Sequence, residues 1–460
     1  MVMAEVTTEV GPRLGPSIAE LRARYRSGET TPADVCRQVL VDIAARGDDG
    51  VWISVADAET VGRRCAELAE IGVTDDLPLY GIPFGVKDSI DIAGWPTTLA
   101  CPAYAYEATA TAPVVSRLLD AGAVLIGKTN LDQFATGLNG TRTPYGIARS
   151  VYGQGIISGG SSSGSASAVA LGEVPFTVAT DTAGSGRVPP ALNEILGYKP
   201  SRGLISAVGL VPACRSLDCI SLIAGRTADL ATVFDVVAAP DPRDPWSRTR
   251  MHPDPAPITI GLPDVTALSF FGDDAMATAH DHVRESVAAT FAATTIDLEP
   301  FLAAGELLYQ GPWVAERYVE FGDFLDEHAD DMVPVVRDII AGGARFTAVD
   351  VFRAQYRLAE LKTVVARTFE SVDLIMVPTI GTTYTVEQVL ADPVNTNTVL
   401  GHYTHCGNLL DPCGIAVPAG TTSDGRPVSC MLLGPALRDD VLLRAAAVLE
   451  PVLARHPLSV

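Results

Sequence analysis

The stretch Ser158-Gly-Gly-Ser-Ser-Ser-Gly-Ser-Ala166 has the composition of a flexible joint, yet it runs straight into Ser165-Ala-Ser-Ala-Val-Ala-Leu171, a series of small residues that favours helix. A joint would be flanked by polar, aperiodic sequence, so these serines are placed at the N-terminus of a helix over residues 163–172. Unpaired backbone N–H groups and the helix dipole favour negative charge there, which suits an ionising hydroxyl or an anionic ligand. A buried strand over Val174–Ala179 follows. A helix over 113–121 precedes the apolar run Ala123–Ile126 in the same way, and this alternation points to the α/β class.

Working outward, Thr31-Pro32 supplies an N-cap and a proline at the first helical position for a helix to about Ala45, and a second helical pattern covers 57–70. Leu79-Tyr-Gly-Ile-Pro-Phe-Gly-Val-Lys87-Asp88 reads as a strand entering a loop, and Leu374–Val377 and Val428–Leu433 as two more strands. Residues 239–258, rich in Pro, Asp and Arg, read as a surface connection to a mostly helical insert over about 260–368. The expected organisation is a disordered tail over residues 1–15 and one domain over 16–460. Gly122-Ala-Val-Leu-Ile-Gly127-Lys128-Thr129 matches a phosphate-loop pattern, but its Val-Leu-Ile is itself strand-like, so it is read as a buried strand with a turn after it.

Hydrophobic residues make up 47% and charged residues 19% of the 460, enough apolar material for a large core. The formal charge of -22 opposes binding to phosphate backbones or anionic lipid, so neither nucleic acid nor membrane is an expected partner. The eight cysteines are scattered without a C-x-x-C pair, which implies free thiols and a cytoplasmic setting. The pair His402/His405 lacks a third nearby ligand, and no metal is expected.

The chemistry centres on hydroxyls. A helix of this length rises about 15 Å and a six-residue strand spans about 20 Å, so an antiparallel return brings Ser185, in Thr180-Asp-Thr-Ala-Gly-Ser-Gly-Arg187, back toward Ser161. Glycines on both sides of Ser185 permit either an ordinary turn or one that aims successive amides at a single spot. No histidine occurs in residues 1–251, which leaves a Ser-His-Asp triad little support. A lysine serves as base once neutral, and lowering its pKa by about three units costs about 4 kcal/mol, which burial among hydroxyls supplies. On the strand Ile82–Lys87, Lys87 shares its face with Pro83 and Gly85. The alternative is a strand-end lysine paired with Asp88.

Gly-Ile-Pro-Phe-Gly-Val-Lys87-Asp, Gly159-Gly-Ser161-Ser-Ser-Gly-Ser and Asp181-Thr-Ala-Gly-Ser185-Gly-Arg together resemble the amidase signature family. The resemblance implies a mixed central sheet with helices on both faces. It also implies a Ser-cisSer-Lys triad of Lys87, Ser161 and Ser185, an oxyanion hole from the N–H groups of Thr182, Ala183, Gly184 and Ser185, an acyl-enzyme route and no cofactor. Asn130–Gly137, Leu308–Arg317, Tyr384–Pro393 and Leu409–Gly414 are similar to the allophanate hydrolases within that family.

That likeness implies hydrolysis of a small anionic amide, allophanate, with Tyr309 and Arg317 holding it. A guanidinium fork suits its carboxylate and a phenol its ureido group, although spacing alone equally fits a core-and-rim pair on one helix. Many allophanate hydrolases carry a further C-terminal domain that processes N-carboxycarbamate. This chain ends without it, so deamination alone is expected. Ile157-Ser158 and His405-Cys406 depart from the family's usual residues, which leaves open another small carboxylated urea or amide. Relatives commonly form homodimers, and a homodimer is expected. The contrasting expectation is a non-catalytic, amidase-like subunit, which the intact triad opposes.

Overall fold

A computed structural model describes residues 11–252 and 256–454. Among these, eleven strands form one sheet, in the order Trp52–Val55, Val124–Thr129, Pro83–Lys87, Phe176–Asp181, Cys219–Ala224, Leu196–Lys199, Cys413–Thr421, Pro427–Gly434, Leu374–Pro378, Thr259–Pro263 and Ala292–Ile296. Pro83–Lys87 runs parallel to both neighbours, and every pairing from Phe176–Asp181 across to Leu374–Pro378 is antiparallel. The sheet is therefore mixed.

Alternation along the strands shows two covered faces. Leu374 and Met376 join one apolar cluster while Ile375 and Val377 join another, and Cys430 and Leu432 part from Met431 and Leu433 in the same way. The second cluster is completed by Phe301, Leu308, Leu358 and Leu361 from the helices Glu299–Tyr309 and Ala348–Ser371, so each face of the sheet has its own helical layer.

Several local rules hold as read. Thr31 caps the helix Pro32–Arg46 by accepting from the Asp34 N–H, and the phosphate-loop look-alike is the strand Val124–Thr129. Between that strand and Pro83–Lys87 the pairing steps from Phe84↔Leu125 to Gly85↔Gly127, passing over Ile126.

Two readings change. Within 260–368, helices predominate, but Thr259–Pro263 and Ala292–Ile296 are the last two strands of the main sheet, paired parallel to one another, with Ala292–Ile296 at the edge. Of the tail expected over 1–15, residues 1–10 lie outside the described residues. Residues 11–15 are held against the fold, with the Gly11 N–H donating to Val151 O and the Arg13 N–H to Ala170 O. Among the described residues, no helix is long and apolar enough to cross a membrane.

Candidate active site

The helix Ser163–Ala170 consists of small residues that are all buried, which lets it lie directly on the sheet. Its N-cap is Ser162, and the peptide bond Gly160–Ser161 just before it is cis. The Ser162 side chain makes no cap hydrogen bond. It turns instead toward the end of the neighbouring strand, where its hydroxyl donates to Thr180 O at 3.2 Å.

Lys87, the last residue of Pro83–Lys87, is fully buried, and its Nζ lies 2.7 Å from Ser161 Oγ, 3.0 Å from Ser162 Oγ and 2.8 Å from Thr180 Oγ1. All three partners are neutral hydroxyls. Burial pulls the amine down to about 7, against the raising influence of Asp132, Asp181 and Asp218, while Arg317 depresses it further. The alternative pairing with Asp88 is not formed, because Asp88 is taken by Lys128 at 2.8 Å.

Ser185 is buried in the turn after Phe176–Asp181. Ser161 and Lys87 are in direct contact, whereas Ser185 stands outside their hydrogen-bonded network among the described residues. The turn is built around the Asp181 carboxylate, which Arg187 grips through Nε at 2.8 Å and Nη2 at 2.9 Å, and which also accepts the N–H groups of Gly184 and Gly186. Arg187 in turn donates to Thr404 O and Asn408 Oδ1, and Thr404 Oγ1 donates to Ala183 O at 2.8 Å.

Of the four N–H groups expected to form an oxyanion hole, that of Gly184 donates to Asp181 Oδ1 at 2.9 Å. Its neighbours Thr182, Ala183 and Ser185 occupy the same turn, and the Thr182 hydroxyl donates to the buried Asp218, whose carboxyl burial lifts to about 6.

Arg317 is 3% exposed, and its Nη1 lies 2.8 Å from Thr136 Oγ1 with Phe134 O and Ala135 O at 3.4 Å. Its charge reaches both Lys87 and Asp218. Tyr309 ends the helix Glu299–Tyr309, and its side chain lies outside the described residues. On the other side of Thr136, Arg142 Nη1 donates to Thr136 O at 2.8 Å. Arg142 forms part of a cavity of about 620 Å³ whose lining also includes Gly305, Val314, Asn397, His402 and His405. Thr136 thus connects Arg317 to Arg142 of the cavity lining through hydrogen bonds.

Sequence reasoning missed Ser162, Thr180, Asp132, Asp218, Thr404 and Asn408. Ser162 and Thr180 had a signal, since Ser162 adjoins Ser161 and Thr180 opens the quoted stretch that runs to Arg187. Asp132 lies within the quoted stretch Asn130–Gly137, while Asp218, Thr404 and Asn408 are brought in by tertiary folding from positions outside the quoted motifs.

A family model described as Amidase matches residues 51–443. The urea amidolyase of Saccharomyces cerevisiae is 42% identical over 454 residues, covering 97% of this chain and 24% of that protein. One component of the glutamyl-tRNA(Gln) amidotransferase of Symbiobacterium thermophilum is 30% identical, covering 96% of this chain and 97% of that component. The solved allophanate hydrolase of Kluyveromyces lactis, in selenomethionine form, superposes with a TM-score of 0.89 at 39% identity, covering 96% of this chain and 73% of that one. The chain spans about a quarter of the length of the urea amidolyases it matches. With more than four fifths of its residues matched by the family model and the fold shared with solved members, the chain belongs to the amidase family.

Proposed function

We propose that this chain hydrolyses allophanate to ammonia and N-carboxycarbamate, with Ser185 as nucleophile, Ser161 as proton carrier and Lys87 as base. The observation that carries the chemistry is the fully buried Lys87, in contact with hydroxyls only. A neutral amine has two N–H donors and one lone pair. Ser162 spends its hydrogen on Thr180 O, so it accepts from Lys87. Thr180 Oγ1 accepts the second N–H, and the lone pair is left for the Ser161 hydroxyl.

In this scheme Ser185 attacks the ureido carbonyl as its proton passes to Ser161 and the Ser161 proton to Lys87. The tetrahedral oxyanion is received by N–H groups of the Thr182–Ser185 turn, with Gly184 serving to hold the turn rather than the substrate. Collapse breaks the C–N bond, Lys87 returns the proton to the departing nitrogen, and ammonia leaves. Water then cleaves the acyl-serine by the same relay in reverse, releasing N-carboxycarbamate. The scheme calls for no metal or organic cofactor.

Support for a carboxylated substrate comes from Arg317, a buried guanidinium electrostatically close to Lys87, and from the allophanate hydrolase and urea amidolyase relatives. Tyr309 is proposed as its companion in holding the ureido group. His405, which lines the cavity and departs from the family's usual residue, favours a second reading as an amidase for another small carboxylated urea. The proposal extends to a homodimer, the commonest closed assembly of a single chain type, and to a reducing, cytoplasmic setting, which suits eight free thiols.

The test is ammonia release by the purified protein from allophanate, biuret, malonamate and simple amides. Allophanate should be turned over best, with loss of activity in Lys87→Ala and Ser185→Ala. No release from any of them, together with no acylation of Ser185 by a reactive probe, would leave the non-catalytic reading in its place.

A further inference from the structure

We infer that Asp132, which belongs neither to the triad nor to the substrate contacts, is a positioning residue that clamps the Ser161 loop and supplies the buried counter-charge for the ammonium Lys87 becomes during acylation. The inference rests on the reading of Lys87 as base.

Geometry gives the clamp. Asp132 follows the strand Val124–Thr129 and is fully buried. Its N–H donates to Ser161 O at 3.0 Å, while its carboxylate accepts the Gly140 N–H at 3.1 Å on Oδ2 and the Arg142 N–H at 2.9 Å on Oδ1. The carboxylate is packed so closely against two glycines that a Cβ at Gly160 would stand 1.9 Å from Oδ2 and one at Gly137 2.5 Å from it. Any side chain at either position would displace it. Asp132 therefore touches both residues of the cis peptide, Gly160 through its side chain and Ser161 through its backbone.

Electrostatics gives the second role. The charges acting on Lys87 are Asp132, Asp181 and Asp218, which favour its protonated form, and Arg317, which opposes it. Asp132 exerts the largest pull of the three carboxylates. Asp181 is matched by its two-pronged pair with Arg187, and Asp218 is occupied by Thr182 and the N–H groups of Ala213 and Cys214. Asp132 itself is raised by burial, and Arg142 and Lys87 favour its ionised form.

As Ser185 attacks, Lys87 gains a full positive charge among neutral hydroxyls. A fixed anion nearby stabilises that state far more than it would in water. Direct contact would defeat the purpose, because an ion-paired lysine stays protonated at rest. Asp132 forms no ion pair with Lys87 among the described residues, and the Gly160–Ser161 segment lies against its carboxylate.

The test is the pH profile of Ser185 acylation by a fluorophosphonate probe, followed by mass spectrometry in the wild type, Asp132→Asn and Asp132→Ser. This readout does not depend on which amide is the natural substrate, so a wrong substrate assignment leaves it intact, and absence of labelling in the wild type would instead overturn the triad reading. Removing the anion lowers the Lys87 pKa, so the acid limb should move to lower pH by about one unit in both variants, while the plateau rate falls about tenfold or more. A limb that stays at the wild-type pH, whatever the plateau, overturns the counter-charge. Failure of both variants to fold, read by circular dichroism, overturns it too and leaves Asp132 an architectural residue.

Discussion

Asp88 forms its ion pair with Lys128, 2.8 Å away across the sheet, and not with its chain neighbour Lys87. Both members of the pair are fully buried, and Lys128 also donates to Thr97 Oγ1 and Pro96 O. The pairing removes the one carboxylate adjacent in sequence to Lys87 and leaves that amine to hydroxyls. Replacing Lys128 by Met strands a buried carboxylate, which should cost about 3–5 kcal/mol of stability in denaturant unfolding. Asp88 then becomes available to Lys87, and activity of the remaining folded enzyme should shift to higher pH.

The state of Lys87 sets the pH dependence of the proposed reaction. The neutral amine is the active form, and burial brings it to about 7. The rate should therefore rise through about pH 7 and be lost as the amine protonates below it. Lys87→Ala should reduce kcat by about 1,000-fold or more, as for removal of the base from other serine nucleophiles. A kcat/KM profile flat from pH 6 to 9 would contradict the assignment.

Arg317→Ala should separate substrates by charge. A charge-assisted hydrogen bond to a carboxylate is worth about 1.5–3 kcal/mol, so kcat/KM for allophanate should fall about 10- to 100-fold. Measured above about pH 8, where loss of the Arg317 charge no longer affects the protonation of Lys87, turnover of neutral amides should change little. Equal losses for both classes would make Arg317 a structural clamp on residues 134–136.

Gly184 has φ 128°, and an added Cβ would lie 2.2 Å from Thr404 Oγ1. Gly184→Ala should push the turn off Thr404 and disturb the amides presented beside Ser185. An acylation rate about 100-fold lower is expected, the order of loss seen when an oxyanion donor is misplaced. Wild-type acylation by Gly184→Ala would show that the turn does not receive the oxyanion.

Glu194 carries a carboxyl that burial lifts from the usual range to about 7. Because its folded pKa is raised, the ionised form opposes folding above that value. Glu194→Gln should therefore raise the melting temperature at pH 8, and the gain should fade toward pH 5, where the native carboxyl is already protonated.

Local signals carried the elements with strong punctuation: Thr31-Pro32 for a helix start, the apolar run in Gly122–Thr129 for a strand, the small residues after Ser162 for a buried helix. The strands Thr259–Pro263 and Ala292–Ile296 were not legible. The second reads Ala-Ala-Thr-Thr-Ile with mostly exposed residues, and only its pairing with Thr259–Pro263 makes it a strand. In the site, Lys87, Ser161 and Ser185 stood in three quotable motifs. The partner of Asp88 depended on which face a strand residue meets and which distant segment packs there, information that adjacency in the chain does not contain.

The step in pairing at Ile126 has a consequence of its own. Passing over one residue is a local bulge, and side chains on a strand change sides with every residue. Were the pairing to run in step through Ile126, Lys128 would stand opposite Lys87 instead of Val86 and turn to the other side of the sheet, away from Asp88, which would then be left to compete for the Lys87 amine. A single unmatched residue in a neighbouring strand thus decides which of two interior lysines meets the buried carboxylate and which is left among hydroxyls.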